Sequence, residues 1–211
     1  MPTETSSPKT PLNGLPRIVT VKDAITRYRE QGEGSIYKGY RDVIKSLVKN
    51  GYDKAIRNDS YADALFLTDI MLEHTEEEFR MVGGTGTDNF ISALKGHFRK
   101  MLDRLTRVGG KARIVVVRTP DQDAPACPTL RELASEYPNV MQFEAGVSDV
   151  LQRHYVVSDS QMIRIEEPHL PLSNDTDACA IKAMVYFSNP VRASMLKEEF
   201  DRVWNVLLIK R

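Results

Sequence analysis

The chain has 211 residues, with 29 Lys and Arg balanced by 29 Asp and Glu, 41% hydrophobic and 27% charged residues. That length carries one sizeable core plus an appendage, and the composition is ordinary for a globular chain. The zero net charge gives no bulk preference for nucleic acid or acidic surfaces, Cys127 and Cys179 alone cannot build a four-ligand zinc site, and no apolar run reaches the ~20 residues of a membrane span.

Residues 1–19 hold four prolines and no apolar segment of signal-peptide length. They read as a disordered tail, and the expected location is cytoplasmic, with no membrane. Residues 20–75 read as a helical region. Thr20 to Asp23 is a start signal for "VTVKDAITRYREQ", and Gly32 ends it. In "SIYKGYRDVIKSLVKN", Ile36, Tyr40, Val43, Ile44 and Leu47 fall on one helical stripe that stops at Asn50-Gly51. "SYADALFLTDIMLEHT" is apolar almost all round, with Asn58, Asp59 and Ser60 as capping candidates, and is expected to be well buried.

From residue 76 onward, strands and helices alternate. "EFRMVGG" is a short strand. "TDNFISALKGHFRKMLDRLTRV" reads as one long helix, capped by Thr87 or Asp88, buried along Phe90, Leu94, Phe98, Met101, Leu102 and Leu105, and ended by Gly109-Gly110. "KARIVVVR" is a central-strand pattern, "TLRELASEY" a short helix and "NVMQFEA" a strand. A hairpin follows, with strands near 153–158 and 161–166. "CAIKAMVYFSN" reads as a long strand, and a last helix has Pro190 in its first turn and Leu196, Phe200, Val203 and Trp204 on its packing face. The expected fold class is α/β, a mixed sheet flanked by helices, behind an N-terminal helical extension.

Two stretches carry chemistry. In "MVGGTGTDNF", Gly83, Gly84, Thr85, Gly86 and Thr87 link a strand to a helix, a place where exposed amides hold phosphate; the same glycines also suit a plain tight turn. The pattern matches neither a P-loop nor GxGxxG. Between Lys95 and Arg113 stand seven Lys or Arg and one acid, so Lys95 and Arg99 are candidate phosphate contacts, or members of a solvated helix face. The second stretch is "QRHYVVSDSQMIRIEE". It holds His154, the one histidine with a plausible acid partner, Asp159, nearby in sequence, and a polar set of Gln152, Arg153, Arg164 and Glu166. Alternation puts His154, Val156 and Ser158 on one face, and Arg164 with Glu166 on one face of the partner strand. A cross-strand His–Glu or Arg–Asp pair worth ~0.2–1 kcal/mol is the structural reading of that set. No HExxH or HxH spacing appears among His74, His97, His154 and His169, and neither a metal nor a cofactor is expected.

The element order from "FRMVGG" through "RVGGKARIVVV", "NVMQFEA", "RHYVVSDSQMIRIE" and "AIKAMVYF" to "LKEEFDRVW" resembles one half of the phospholipase D superfamily. The resemblance covers about two thirds of the chain. It implies a phospholipase D-like domain over residues 76–211. In that superfamily an HxKxxxxD signature supplies a nucleophilic histidine and a phosphate-binding lysine, followed by Gly-Ser-x-Asn. With Asp159 as the acid, Gln152 stands at the histidine position and His154 at the lysine position; with His154 as the nucleophile, Val156 and Gln161 replace the lysine and the acid. "IRIEEP" stands where Gly-Ser-x-Asn is expected. The resemblance therefore implies a degenerate site: a non-catalytic regulatory or binding module, pairing as a homodimer and engaging a protein or nucleic-acid partner. The alternatives are an unconventional phosphodiesterase or nuclease using His154, and a nucleotide or phosphate sensor using the Gly83–Asp88 turn.

Overall fold

A computed structural model describes residues 20–31, 35–148, 153–167, 169 and 172–209. The tail read over 1–19, the Gly32 stop and Gln152 lie outside the described residues. The elements are α1 (Val21–Gln31), α2 (Ser35–Lys49), β1 (Ile56–Asn58), α3 (Tyr61–His74), β2 (Glu78–Gly83), α4 (Thr87–Ala93), α5 (Lys95–Val108), β3 (Lys111–Arg118), α6 (Pro128–Glu136), β4 (Met141–Val147), β5 (Tyr155–Ser158), β6 (Met162–Glu166), β7 (Ala183–Tyr186) and α7 (Pro190–Ile209). The strands form one mixed sheet in the order β1-β7-β6-β5-β2-β3-β4. Strands β2, β3 and β4 run parallel, and the other pairings are antiparallel.

Strand alternation sorts the side chains between two cores. Phe79 and Met81 of β2, Val156 of β5 and Met162 of β6 join the larger core beneath α1 to α6. Val82, Val115, Tyr155, Val157 and Ile163 point the other way, where α7 lays Ala193, Leu196, Phe200 and Trp204 across them. The α/β class, the buried character of α3 and the packing face of α7 follow the sequence reading.

Four local readings change. A three-residue strand, β1, sits inside the region expected to be all helix and pairs with β7 at the sheet edge. The long helix over 87–108 is two helices, since Leu94 leaves helical geometry at φ −99° and ψ 10°. Asp88 does not cap its own helix. Its carboxylate accepts the backbone N–H groups of Thr129 (3.3 Å) and Leu130 (2.9 Å), capping α6 instead. The long strand read over "CAIKAMVYFSN" shortens to β7, residues 183–186. Gly109 does end α5 as read, at φ 72°, in the left-handed region where a side chain is strained.

Ion pairs tie the N-terminal helices to this core. Arg41 on α2 donates to Asp69 (2.7 Å) and Glu73 (2.8 Å) on α3, and His97 on α5 reaches Asp69. Burial pushes the Asp69 and Glu73 carboxyls up, but His97 and Arg41 for the first, and Lys45 and Arg41 for the second, hold both below the ordinary range. Glu78 is likewise held down against burial by Lys197 and Arg80. Burial pushes the His74 imidazole below its usual 6.5. All four values are depressed in the folded state, so the unfolded chain binds protons first as pH falls. Stability is therefore full above about pH 6.5 and declines below it, first through His74 and more steeply below about 4.5 through the carboxylates. A melting-temperature scan from neutral to acidic pH checks this, and His74→Gln removes the first part of the decline.

Candidate functional site

The carboxyl ends of β2 and β3, the start of β5 and the end of β6 meet at one rim of the sheet. A cavity of about 580 Å³ opens there, a size suited to a small ligand. Its walls are the Gly83–Thr87 turn, Tyr61 and Phe90, residues 117–119 with Asp121 and Gln122 after β3, and the polar group His154, Arg164, Glu166 and His169.

Pairing register builds the polar group. Val156 stands opposite Arg164, and the Glu166 N–H donates to the His154 carbonyl at 2.9 Å. His154, Arg164 and Glu166 therefore share the face covered by the N-terminal helices. Arg164 is 1% exposed. Its Nε donates to Asn58 Oδ1 at 2.9 Å, and its Nη1 pairs with Glu166 Oε1. Its Nη2 has no hydrogen-bond partner among the described residues, although the side chain lines the cavity. Burial pushes the Glu166 carboxyl up, but Arg164, with His154 and His169, holds it well below the usual range. His154 Nδ1 lies 3.0 Å from Glu166 Oε2, and His169 Nε2 lies 2.8 Å from the same oxygen. The opposite edge of the His154 ring faces the glycine-rich turn: a Cβ on Gly84 would stand 3.0 Å from Cε1 and from Nε2. A side chain at 84 would thus crowd the imidazole, which would have to shift by a few tenths of an ångström.

The structure brings together most of the residues read from the sequence, but not all. Gly83, Gly84, Thr85, Gly86 and Thr87 line the cavity, as do His154, Arg164 and Glu166. The cross-strand His–Glu pair is present. Asp159 sits at the other end of β5, in the hairpin turn at φ 52°. Its carboxylate accepts the backbone N–H groups of Glu76 (3.0 Å), Glu77 (2.8 Å) and Glu78 (3.0 Å), tying the turn to the start of β2. Among the described residues it is an anchor for backbone amides, a strand's length from His154. Arg153 points to solvent. Lys95 and Arg99 lie outside the cavity walls, bridged to α6: Lys95 to Glu132 at 2.5 Å, Arg99 to Glu136 at 2.7 Å and to Glu132 at 2.9 Å. Much of the basic segment is likewise engaged, with Arg104 donating to the carbonyls of Leu72 and Thr75 and Arg113 bridging Glu78 and Asp201.

Three members of the site escaped sequence reading. His169, in a proline-flanked loop, joins Glu166 three residues before it. Asn58 arrives on the unforeseen β1, and Tyr61 on the first turn of α3. The spacing Glu-x-x-His in "EEPH" was the one signal available for His169.

No family model matches the sequence, and no curated protein matches it. Solved structures do. The chain is similar to TrmBL2, an archaeal chromatin protein whose structure shows a novel mode of DNA binding, at 17% identity and a TM-score of 0.52, over 88% of this chain and 66% of that one. It thus spans just under two thirds of TrmBL2. It is also similar to Nuc, a phospholipase D family member from Salmonella typhimurium (14% identity, 72% of this chain and 95% of that one, TM-score 0.49). A further match is NucT from Helicobacter pylori (11% identity, 68% and 88%, TM-score 0.43). Likeness at such identities is one of fold alone, and the architecture of this chain is an α/β one, a mixed sheet flanked by helices.

Proposed function

We propose that the chain is a non-catalytic binding module of the phospholipase D-like fold, whose cavity takes a small anionic ligand such as a phosphate ester or a carboxylate. The observation that carries this reading is Arg164: a guanidinium 1% exposed, lining the cavity, with Nη2 lacking a partner among the described residues. A buried unpaired donor costs about 1–3 kcal/mol, and an anion's oxygen would recover it once a small shift of the cavity wall uncovers Nη2. The residues that stand in for the nucleophile and the lysine argue against the family's usual reaction. His154 Nδ1 is already engaged by Glu166, and a neutral imidazole is a poor substitute for a permanent cation.

Ligand occupancy would then be passed to a protein or nucleic-acid partner by a homodimer. The DNA-binding TrmBL2 neighbour supports a nucleic-acid partner. Exposed Val191, Met195 and Val206 on α7, with Met184 on β7, support a second copy of the chain. One observation favours a second reading, a residual phosphodiesterase: the Glu166 carboxylate orients His154 so that its Nε2 edge faces Gly84.

The test is a thermal-shift panel of nucleotides, sugar phosphates and dicarboxylates at millimolar concentration, with turnover of bis(p-nitrophenyl) phosphate measured in parallel. A bound ligand at a hundred times its Kd stabilises the fold by about 2.7 kcal/mol. The expected result is stabilisation by at least one anion, lost in Gly84→Val, which fills the space before His154, and no turnover. Turnover that disappears in His154→Ala, or no response to any anion, overturns the reading.

A further inference from the structure

The three groups at the floor of the cavity do not satisfy one another as hydrogen-bonding partners. His154 Nδ1, His169 Nε2 and Glu166 Oε2 form a closed triangle with sides of 3.0, 2.8 and 3.2 Å, the last between the two ring nitrogens. Glu166 is ionised, because Arg164 holds its other oxygen. Each ring nitrogen carries either a proton or a lone pair. If both carry protons, two N–H groups confront each other. If only one does, the other nitrogen turns its lone pair on the carboxylate. If neither does, three lone pairs converge. Every assignment leaves at least one contact between like partners, inside a group of side chains that are 8–22% exposed.

A cation at the point of convergence resolves all three contacts at once. Three atoms about 3 Å apart can each lie ~2.0–2.1 Å from one ion placed about 1 Å off their plane, the bond lengths of imidazole and carboxylate ligands to zinc. The angles at the ion are then about 86–103°, close to those of one face of an octahedron, with the remaining positions open. We propose that His154, Glu166 and His169 form a two-histidine, one-carboxylate site for a first-row divalent transition cation, with its open positions toward the cavity. Donor chemistry selects the class: two imidazoles and one carboxylate suit Zn²⁺ or Fe²⁺ better than Mg²⁺ or Ca²⁺, which prefer all-oxygen shells. Arg164 is a positioning residue. It holds Glu166 Oε1 and so aims Oε2 at the ion, as outer partners of metal-bound carboxylates do. Its own charge opposes the cation, so the loaded site carries an excess of positive charge. An anion bound at the ion's open positions offsets that excess. This coupling rests on the proposed anion-binding function; the metal site itself does not.

Calorimetry of chelator-stripped protein with Zn²⁺ and with Co²⁺ tests the site, with no anionic ligand added. One ion per chain is expected, with affinity falling at least a hundredfold in His154→Ala and in His169→Ala. His169 lies on a loop, so an unchanged metal-free melting temperature in His169→Ala separates ligation from folding. Co²⁺ absorption bands should report nitrogen ligation in the wild type and vanish in both variants. No stoichiometric uptake, or uptake unchanged in both variants, overturns the proposal. Anion stabilisation that survives chelation without metal uptake overturns the metal site and leaves the binding function standing. Metal uptake without any anion response supports the site and removes the anion-binding reading.

Discussion

Arg164→Met is expected to destabilise the fold by about 3–5 kcal/mol at neutral pH, measured by urea unfolding. The guanidinium is 1% exposed and held between Asn58 and Glu166. Removing it leaves the Glu166 carboxylate buried beside two imidazoles without its cation, and leaves Asn58 Oδ1 without its donor. The loss is then mostly the cost of an uncompensated buried charge, not the worth of the pair. Arg164→Met combined with Glu166→Gln should therefore recover a large part of it, because no buried charge remains unpaired. A single-variant loss under about 1 kcal/mol, in the range of an exposed pair, would mean that water reaches the site freely in solution.

Phe200→Ala should cost about 3–5 kcal/mol in the same measurement. The ring is fully buried, stacked on Trp204 at 5.6 Å between centroids, with the Arg80 and Arg113 guanidinium carbons 5.5 and 5.4 Å from its centre. Those arginines also bridge Glu78 and Asp201, so the ring supports an ion-pair network as well as a core. Among the described residues α7 alone packs the second core, and loosening it opens Val82, Val115, Val157 and Ile163 together. Phe200→Leu, which keeps most of the volume, should lose much less. Equal losses from the two variants would assign the effect to the aromatic contacts with the arginines.

Particular residues mark where sequence reading reached its limit. The apolar run in "KARIVVVR" needs burial on both faces, and β3 occupies the middle of the parallel strands with cores on both sides. The stripe of Leu196, Phe200 and Trp204 needs one apolar surface, and α7 finds it. Ile56–Asn58 is too short for any alternation to stand out, and it becomes a strand only because the β7 edge supplies its hydrogen bonds. The helix break at Leu94 has no Pro at the spot, only Gly96 two residues on, and α4 packs against α6 while α5 packs against α3 and β3. Asp88 and Asp159 both look local in sequence, as a cap and as a catalytic acid. In the fold each holds backbone amides of another segment: Thr129 and Leu130 for the first, Glu76 to Glu78 for the second.

The α/β class, the hairpin, and the face that Arg164 and Glu166 share on its second strand are legible in the sequence, whereas the register that sets His154 beside them belongs to the fold. The legible features follow from short-range periodicity, in which every second residue of a strand points the same way. Only the tertiary structure decided what those residues do. It brought Asn58 across from the sheet edge to Arg164, folded His169 back onto Glu166, and set Gly84 against the His154 ring. It also withdrew Lys95 and Arg99 into bridges with α6. Contacts of this kind join positions that no local period relates, and the charge or proton each group carries is set by neighbours that only the fold supplies.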